Sequence, residues 1–206
     1  MPASSFTDPF AGHHAESSAG FFGEEKRVLL ALARSAITVN LGGTASPALP
    51  ENPRLQQVGA CFVTLTLSGE LRGCIGSLTA RRPLAEDVLH NACASAFDDP
   101  RFPPLDAAEL ARVDISISVL TPPEPFPVKN EAELLQTLRP GVDGLLLEDG
   151  TCRATFLPSV WEQLPTPAAF IAQLKRKAGL PAYYWSPTIT FSRYRSIEFA
   201  ESDNQH

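Results

Sequence analysis

With 206 residues, 44% of them hydrophobic and a formal net charge of −6, the chain has enough apolar material to bury the core of one domain, or of two small lobes that share it. The acidic balance, with a pI near 5.2, disfavours nucleic acid as a partner, because phosphate binding needs an excess of Lys and Arg; an acidic phosphate-free partner or a neutral small molecule, its identity unknown, fits better. No apolar run approaches the roughly 20 residues of a membrane span, and the first residues lack the basic-then-apolar order of a secretory signal, so the expectation is a cytoplasmic protein with no membrane attachment.

Residues 1–20 are rich in Ser, Ala, Gly and Pro without apolar periodicity and read as a disordered tail, leaving 21–201 as the folded unit. His13 and His14 within the tail lack a third metal ligand. From Glu24 to Asn40 apolar residues recur at i, i+4 spacing along Val28, Leu32 and Ala36, which predicts a helix. Gly59 to Gly76 reads as a β-hairpin. A loop of three residues, Ser68-Gly69-Glu70, keeps the apolar rows together by pairing Leu65 with Gly73 and Val63 with Ile75; it sets Thr66 opposite Arg72 and Thr64 opposite Cys74.

Pro83 opens a second helix to Phe97. Its His90 lies about 160° from the apolar face at 100° per residue and so looks at solvent, although it is the one histidine in the folded part. The rigid loop from Asp98 to Leu105, with three prolines, holds Asp99 and Arg101 in place, either as site residues or as a turn with Asp99 capping a short element. Asp114 to Leu120 alternates Ile115, Ile117 and Val119 against serines, a strand pattern. Asn130 with Glu133 resembles a capping box. Asp149-Gly150 joins two strands with Cys152 opposite Leu147, and Thr166-Pro167 caps a last helix. The Lys175-Arg176-Lys177 cluster there complements the helix dipole, an anion site being the alternative. Thr188 to Phe199 reads as one closing strand. The fold class expected from this order is α+β, mainly antiparallel sheet flanked by helices.

The four cysteines show neither zinc spacing nor disulfide density, and Cys61, Cys93 and Cys152 read as packing residues. Cys74 differs. In Leu71-Arg72-Gly73-Cys74-Ile75-Gly76 a guanidinium and a thiol lie two residues apart on one strand face, about 6.5–7 Å from each other. Positive charge nearby favours the reactive thiolate, and Gly73 and Gly76 mark close backbone approach.

This hexapeptide, with Asp99-Pro100-Arg101-Phe102-Pro103-Pro104 and Ile115-Ser116-Ile117-Ser118-Val119-Leu120-Thr121, resembles the signatures of the AMMECR domain family. Leu157-Pro158, Lys177-Ala178-Gly179 and Arg193-Tyr194-Arg195 are similar to that family's pattern as well, so the resemblance spans about residues 24–199. It implies two unequal lobes, the larger built from both chain ends, with a site in the cleft between them. It also implies partners, a Memo-type protein with an extradiol-dioxygenase-like fold and a radical S-adenosylmethionine protein, but no reaction and no cofactor. Where animal members tend to carry a histidine before the glycine near 144, this chain has Asp143.

Two functions follow as expectations. In an enzyme, Cys74 is the nucleophile or acid/base, Arg72 supports it, Asp99 or Asp143 moves protons, and Gly73, Gly76, Arg101 and Thr64 bind substrate. In an adaptor, the same stretch is a partner surface. A purely structural hexapeptide, with Arg72 in a buried ion pair for which Asp99 is a candidate partner, is the third alternative.

Overall fold

The computed structural model describes residues 23–44 and 48–204; the expected tail, with His13 and His14, lies outside them. In chain order the elements are α1 (Gly23–Asn40), β1 (Val58–Leu67), β2 (Glu70–Gly76), β3 (Arg82–Pro83), α2 (Leu84–Phe97), α3 (Ala107–Leu110), β4 (Val113–Leu120), β5 (Glu124–Pro125), α4 (Glu131–Thr137), β6 (Gly144–Asp149), β7 (Cys152–Phe156), α5 (Pro167–Lys177), β8 (Thr190–Tyr194) and β9 (Ser196–Ala200). The class is α+β, as expected. A five-stranded sheet runs β2-β1-β4-β9 with β3 on the start of β1, and a four-stranded sheet runs β5-β8-β6-β7. Every pairing in both is antiparallel.

Each sheet has its own core. The odd-numbered side chains of β1 and β4, among them Val63, Leu65, Ile115 and Ile117, are buried with Leu29 and Ile37 of α1 and Val88 of α2, because strict alternation gives a strand one apolar face. The second core gathers Leu145 and Leu147 of β6 with Phe170 and Leu174 of α5 and Trp161; the Trp161 and Phe170 rings stack with centroids 3.9 Å apart. The chain crosses between the lobes at residues 121–123, from β4 to β5, and at Arg195, from β8 to β9. Where sequence periodicity suggests one strand over 188–199, the chain leaves the small sheet after Tyr194 and enters the large one at Ser196. Thr121, on the other crossing segment, accepts from the Arg195 N–H through its hydroxyl and donates its own N–H to the Arg195 carbonyl, both at 2.9 Å. Alternation of side chains cannot reveal a change of sheet, because the strand stays extended through it.

The β1–β2 hairpin corrects part of the expected register. Thr64 faces Cys74, Leu65 faces Gly73 and Val63 faces Ile75, but Thr66 faces Leu71 rather than Arg72. The loop is Ser68-Gly69, both with positive φ (56° and 84°), as a type I′ turn requires, and Arg72 is the extra residue of a β-bulge. A bulge absorbs the one residue by which this loop is shorter than the expected Ser68-Gly69-Glu70, so the turn and the apolar row are satisfied together.

The second hairpin also shifts. Cys152 faces Asp149, not Leu147, because Gly150, at φ 59°, takes the first of two loop positions. Asn130 caps α4 by accepting from the Glu133 N–H at 2.9 Å, but the Glu133 carboxylate accepts from Lys129 instead of closing a capping box. Lys175, Arg176 and Lys177 stand in the last turn of α5 as expected, but Lys175 is fully buried, with Nζ 2.8 Å from Glu131 Oε1 and 3.2 Å from the Ala182 carbonyl.

Candidate functional site around Cys74

Cys74 sits on β2, at the edge of the large sheet. Opposite Thr64 it turns its N–H and C=O away from β1, where an edge strand would otherwise be open. The loop after α2 fills that edge. Asp99 Oδ2 accepts from the Cys74 N–H at 2.8 Å, while Arg101 Nη2 donates to the Cys74 carbonyl at 3.1 Å and to Asp99 Oδ2 at 2.7 Å. Asp99 Oδ1 takes Arg101 Nε at 2.9 Å and the Arg101 N–H at 3.1 Å. The Arg101 guanidinium, with these backbone donors, holds the buried Asp99 carboxyl well below the usual carboxylate range. Asp99 and Arg101 thus form one clamp on the Cys74 backbone.

Cys74's sulfur points the other way. Thr64 Oγ1 donates to Sγ at 3.3 Å, and the thiol lines a cavity of about 200 Å³ between the outer face of the large sheet and the small lobe. Ser116 and Ser118 of β4, Glu198 of β9, and Pro158 and Ser159 of the small lobe share that lining. A larger groove of about 680 Å³, reaching Gly141 and Trp161, meets it at Pro158, Ser159, Ser196 and Glu198. Sequence analysis did not single out Ser116, Ser118 or Glu198; the signal was the polar half of the same alternation that marked the core. Ser118 and Ser196 donate to Glu198 Oε1 at 3.3 and 3.0 Å.

Arg72 does not join the thiol. From the bulge its guanidinium reaches Glu109 of α3, with Nε to Oε1 and Nη2 to Oε2 both at 2.8 Å, and the Pro104 carbonyl at 3.5 Å. The ion pair foreseen with Asp99 is therefore made with Glu109, whose carboxyl is held low by Arg72. Asp106 accepts from the Glu109 N–H at 2.8 Å and Glu109 from the Asp106 N–H at 3.2 Å, a complete capping box. Asp106-x-x-Glu109 was legible as one and was overlooked. We expect Glu109→Gln to cost about 1–2 kcal/mol in urea unfolding, because Arg72 is buried while Glu109 is only partly so, and to leave the alkylation rate of Cys74 unchanged.

Asp143 lies away from this cleft: fully buried, it receives Arg139 Nε and the Arg139 N–H on Oδ2, both at 3.0 Å, while Nη2 bonds Oδ1. The Asp143 carbonyl accepts from Trp161 Nε1 at 2.8 Å. His90 is exposed, as expected.

The two glycines are occupied by their own chain. A Cβ on Gly73 would stand 2.1 Å from the Ser95 carbonyl oxygen, and one on Gly76 would stand 2.3 Å from the Phe62 ring. Gly73 serves a feature that escaped sequence analysis, a buried polar stripe on α2 at i, i+4, i+8: Asp87, Asn91 and Ser95, each at most 2% exposed. Ser95 Oγ accepts from the Ile75 N–H at 2.8 Å and donates to the Val63 carbonyl at 2.7 Å, inserting a hydroxyl into the β1–β2 ladder. Asp87 accepts from the Cys61 N–H at 3.0 Å and the Ser77 hydroxyl at 2.8 Å, and Asn91 donates to the Cys61 carbonyl at 3.1 Å. Burial, reinforced by Asp87, pushes the Cys61 thiol up, out of the reactive range.

The site is thus a thiol cleft between two antiparallel sheets, lined by hydroxyls and one carboxylate beside the apolar Phe62, Ile117, Leu157 and Pro158. Among the described residues no three or more His, Cys, Asp or Glu side chains converge as a metal site, and no helix is long and apolar enough to cross a membrane. The AMMECR1 family model matches residues 30–199, so the chain belongs to the AMMECR1 family. A protein of Methanothermobacter thermautotrophicus is 38% identical over 182 residues, covering 86% of this chain and 95% of its own. One from Thermofilum pendens is 36% identical over 179 residues, covering 79% and 82%. The crystal structure of an uncharacterized protein from Pyrococcus horikoshii, 34% identical, superposes with a TM-score of 0.71 over 86% of this chain and 92% of that one.

Proposed function

We propose that this protein processes a small polar molecule at Cys74, and that it acts with a Memo-type protein and a radical S-adenosylmethionine protein, the partners implied by the family resemblance. The observation that carries the reading is the fixation of one thiol at a cavity: the Cys74 N–H, carbonyl and sulfur each have a side-chain partner, while the sulfur lines the cleft. Cys74 supplies the thiol and Thr64 orients it, while Glu198 stands three strands away on β9, across the same cleft. Asp99 and Arg101 position the strand, and the small lining, with hydroxyls and one carboxylate beside Phe62, Ile117, Leu157 and Pro158, selects a compact substrate with both apolar and hydrogen-bonding parts.

A second reading, a non-catalytic adaptor for the same partners, is favoured by the neutralisation of Arg72 and Arg101 within the chain and by Leu71, 42% exposed on the edge strand. Alkylation with iodoacetamide near neutral pH separates the two. The enzyme reading expects Cys74 to label at least about tenfold faster than buried Cys61, and Cys74→Ala to abolish the activity of the reconstituted three-protein system. Full activity of Cys74→Ala in that system would transfer the proposal to the adaptor.

A further inference from the structure

A second cavity, of about 550 Å³, opens between the lobes and shares no lining residue with the Cys74 cleft. Its volume falls within the roughly 300–1,000 Å³ of small-molecule sites, which favour such interfaces. The large lobe contributes an apolar wall that includes Val58 and Leu78, which are 62% and 48% exposed; the crossing segment adds Pro122 and Pro123. From the small lobe come Lys177 and Arg153, and no carboxylate lines the space. In a chain of net charge −6, this lining holds two cations and no acid.

The two cations are not equal. Arg153 pairs with Glu148 at 3.1 Å, so that couple is neutral. Lys177 has no carboxylate partner among the described residues; Nζ donates to the Thr155 carbonyl at 3.0 Å and stands 5.0 Å over the Phe156 ring. One uncompensated positive charge therefore faces an apolar wall. It also stands in the last turn of α5, where the helix dipole contributes partial negative charge, which suits a singly charged headgroup better than a phosphate dianion.

We propose that this cavity binds an amphipathic monocarboxylate, its apolar body against Val58, Leu78 and the proline pair and its carboxylate on Lys177. Isothermal titration of the full chain with octanoate, octanol and octyl phosphate tests it. Octanoate should bind saturably, one per chain, at least about tenfold tighter than octanol and tighter than octyl phosphate. Lys177→Met, an exposed position whose replacement leaves the core intact, should remove the advantage of octanoate and leave octanol unchanged; Leu78→Asp should weaken both, and Cys74→Ser neither. The assignment is overturned if octanoate shows no saturable binding or no advantage over octanol, if Lys177→Met binds it as well as wild type, or if octyl phosphate is preferred.

Discussion

Gly73→Ala is expected to destabilise the protein by about 3 kcal/mol or more. The new Cβ would lie 2.1 Å from the Ser95 carbonyl oxygen, and both sides of that contact are backbone, so no side-chain rotation relieves it. To reach ordinary separation α2 must withdraw from β2 by about an ångström. That withdrawal stretches the 2.8 and 2.7 Å bonds by which the Ser95 hydroxyl joins Ile75 to Val63, leaving buried polar groups short of partners. Urea denaturation of Gly73→Ala beside Gly69→Ala checks this. Nothing lies within 4 Å of a Cβ on Gly69, where only its φ of 84° opposes the change, so the second variant should lose about 1 kcal/mol. Equal losses would mean that close approach of α2 is not what Gly73 serves.

Asp99→Ala should cost about 3 kcal/mol. It removes the acceptor of the Cys74 and Arg101 N–H groups and of the Arg101 fork at once. Asp99→Asn keeps the shape and part of the hydrogen bonding, and should lose about half as much. The acid limb distinguishes charge from shape. Because the folded carboxyl is held below its value near 3.9 in the unfolded chain, its stabilisation is complete above about pH 5 and is lost as pH falls through the folded-state value. Wild type should therefore lose stability toward pH 2 more steeply than Asp99→Asn. Parallel acid limbs would show that the Arg101–Asp99 charge contributes nothing to holding β2.

Sequence periodicity found what depends on near neighbours. The odd-numbered apolar row of β4 and the i, i+4 stripe of α1 place the large core, and the expected pairing of Thr64 with Cys74 holds, since a slip there would turn Val63 and Leu65 outward. The same logic failed at Arg72, because a bulge satisfies the turn and the apolar row together. It also failed at Arg195, where an extended chain changes sheets without breaking alternation. Asp87, Asn91 and Ser95 went unread although they share a spacing, since a polar stripe on a helix ordinarily faces water; here it faces the backbone of β1 and β2.

By itself, then, the amino-acid order determined the elements, the apolar faces and the prominence of Cys74, all of which follow from the 2.0 and 3.6 periods of strand and helix. Tertiary structure alone decided which charges meet. Glu109 rather than Asp99 takes Arg72, Asp99 and Arg101 close on the Cys74 backbone, and Lys175 is buried while Lys177, two residues on, faces a cavity. Ion pairs join residues far apart in sequence through loops whose path no local period encodes, so the site's electrostatics emerged only when the two sheets were in place.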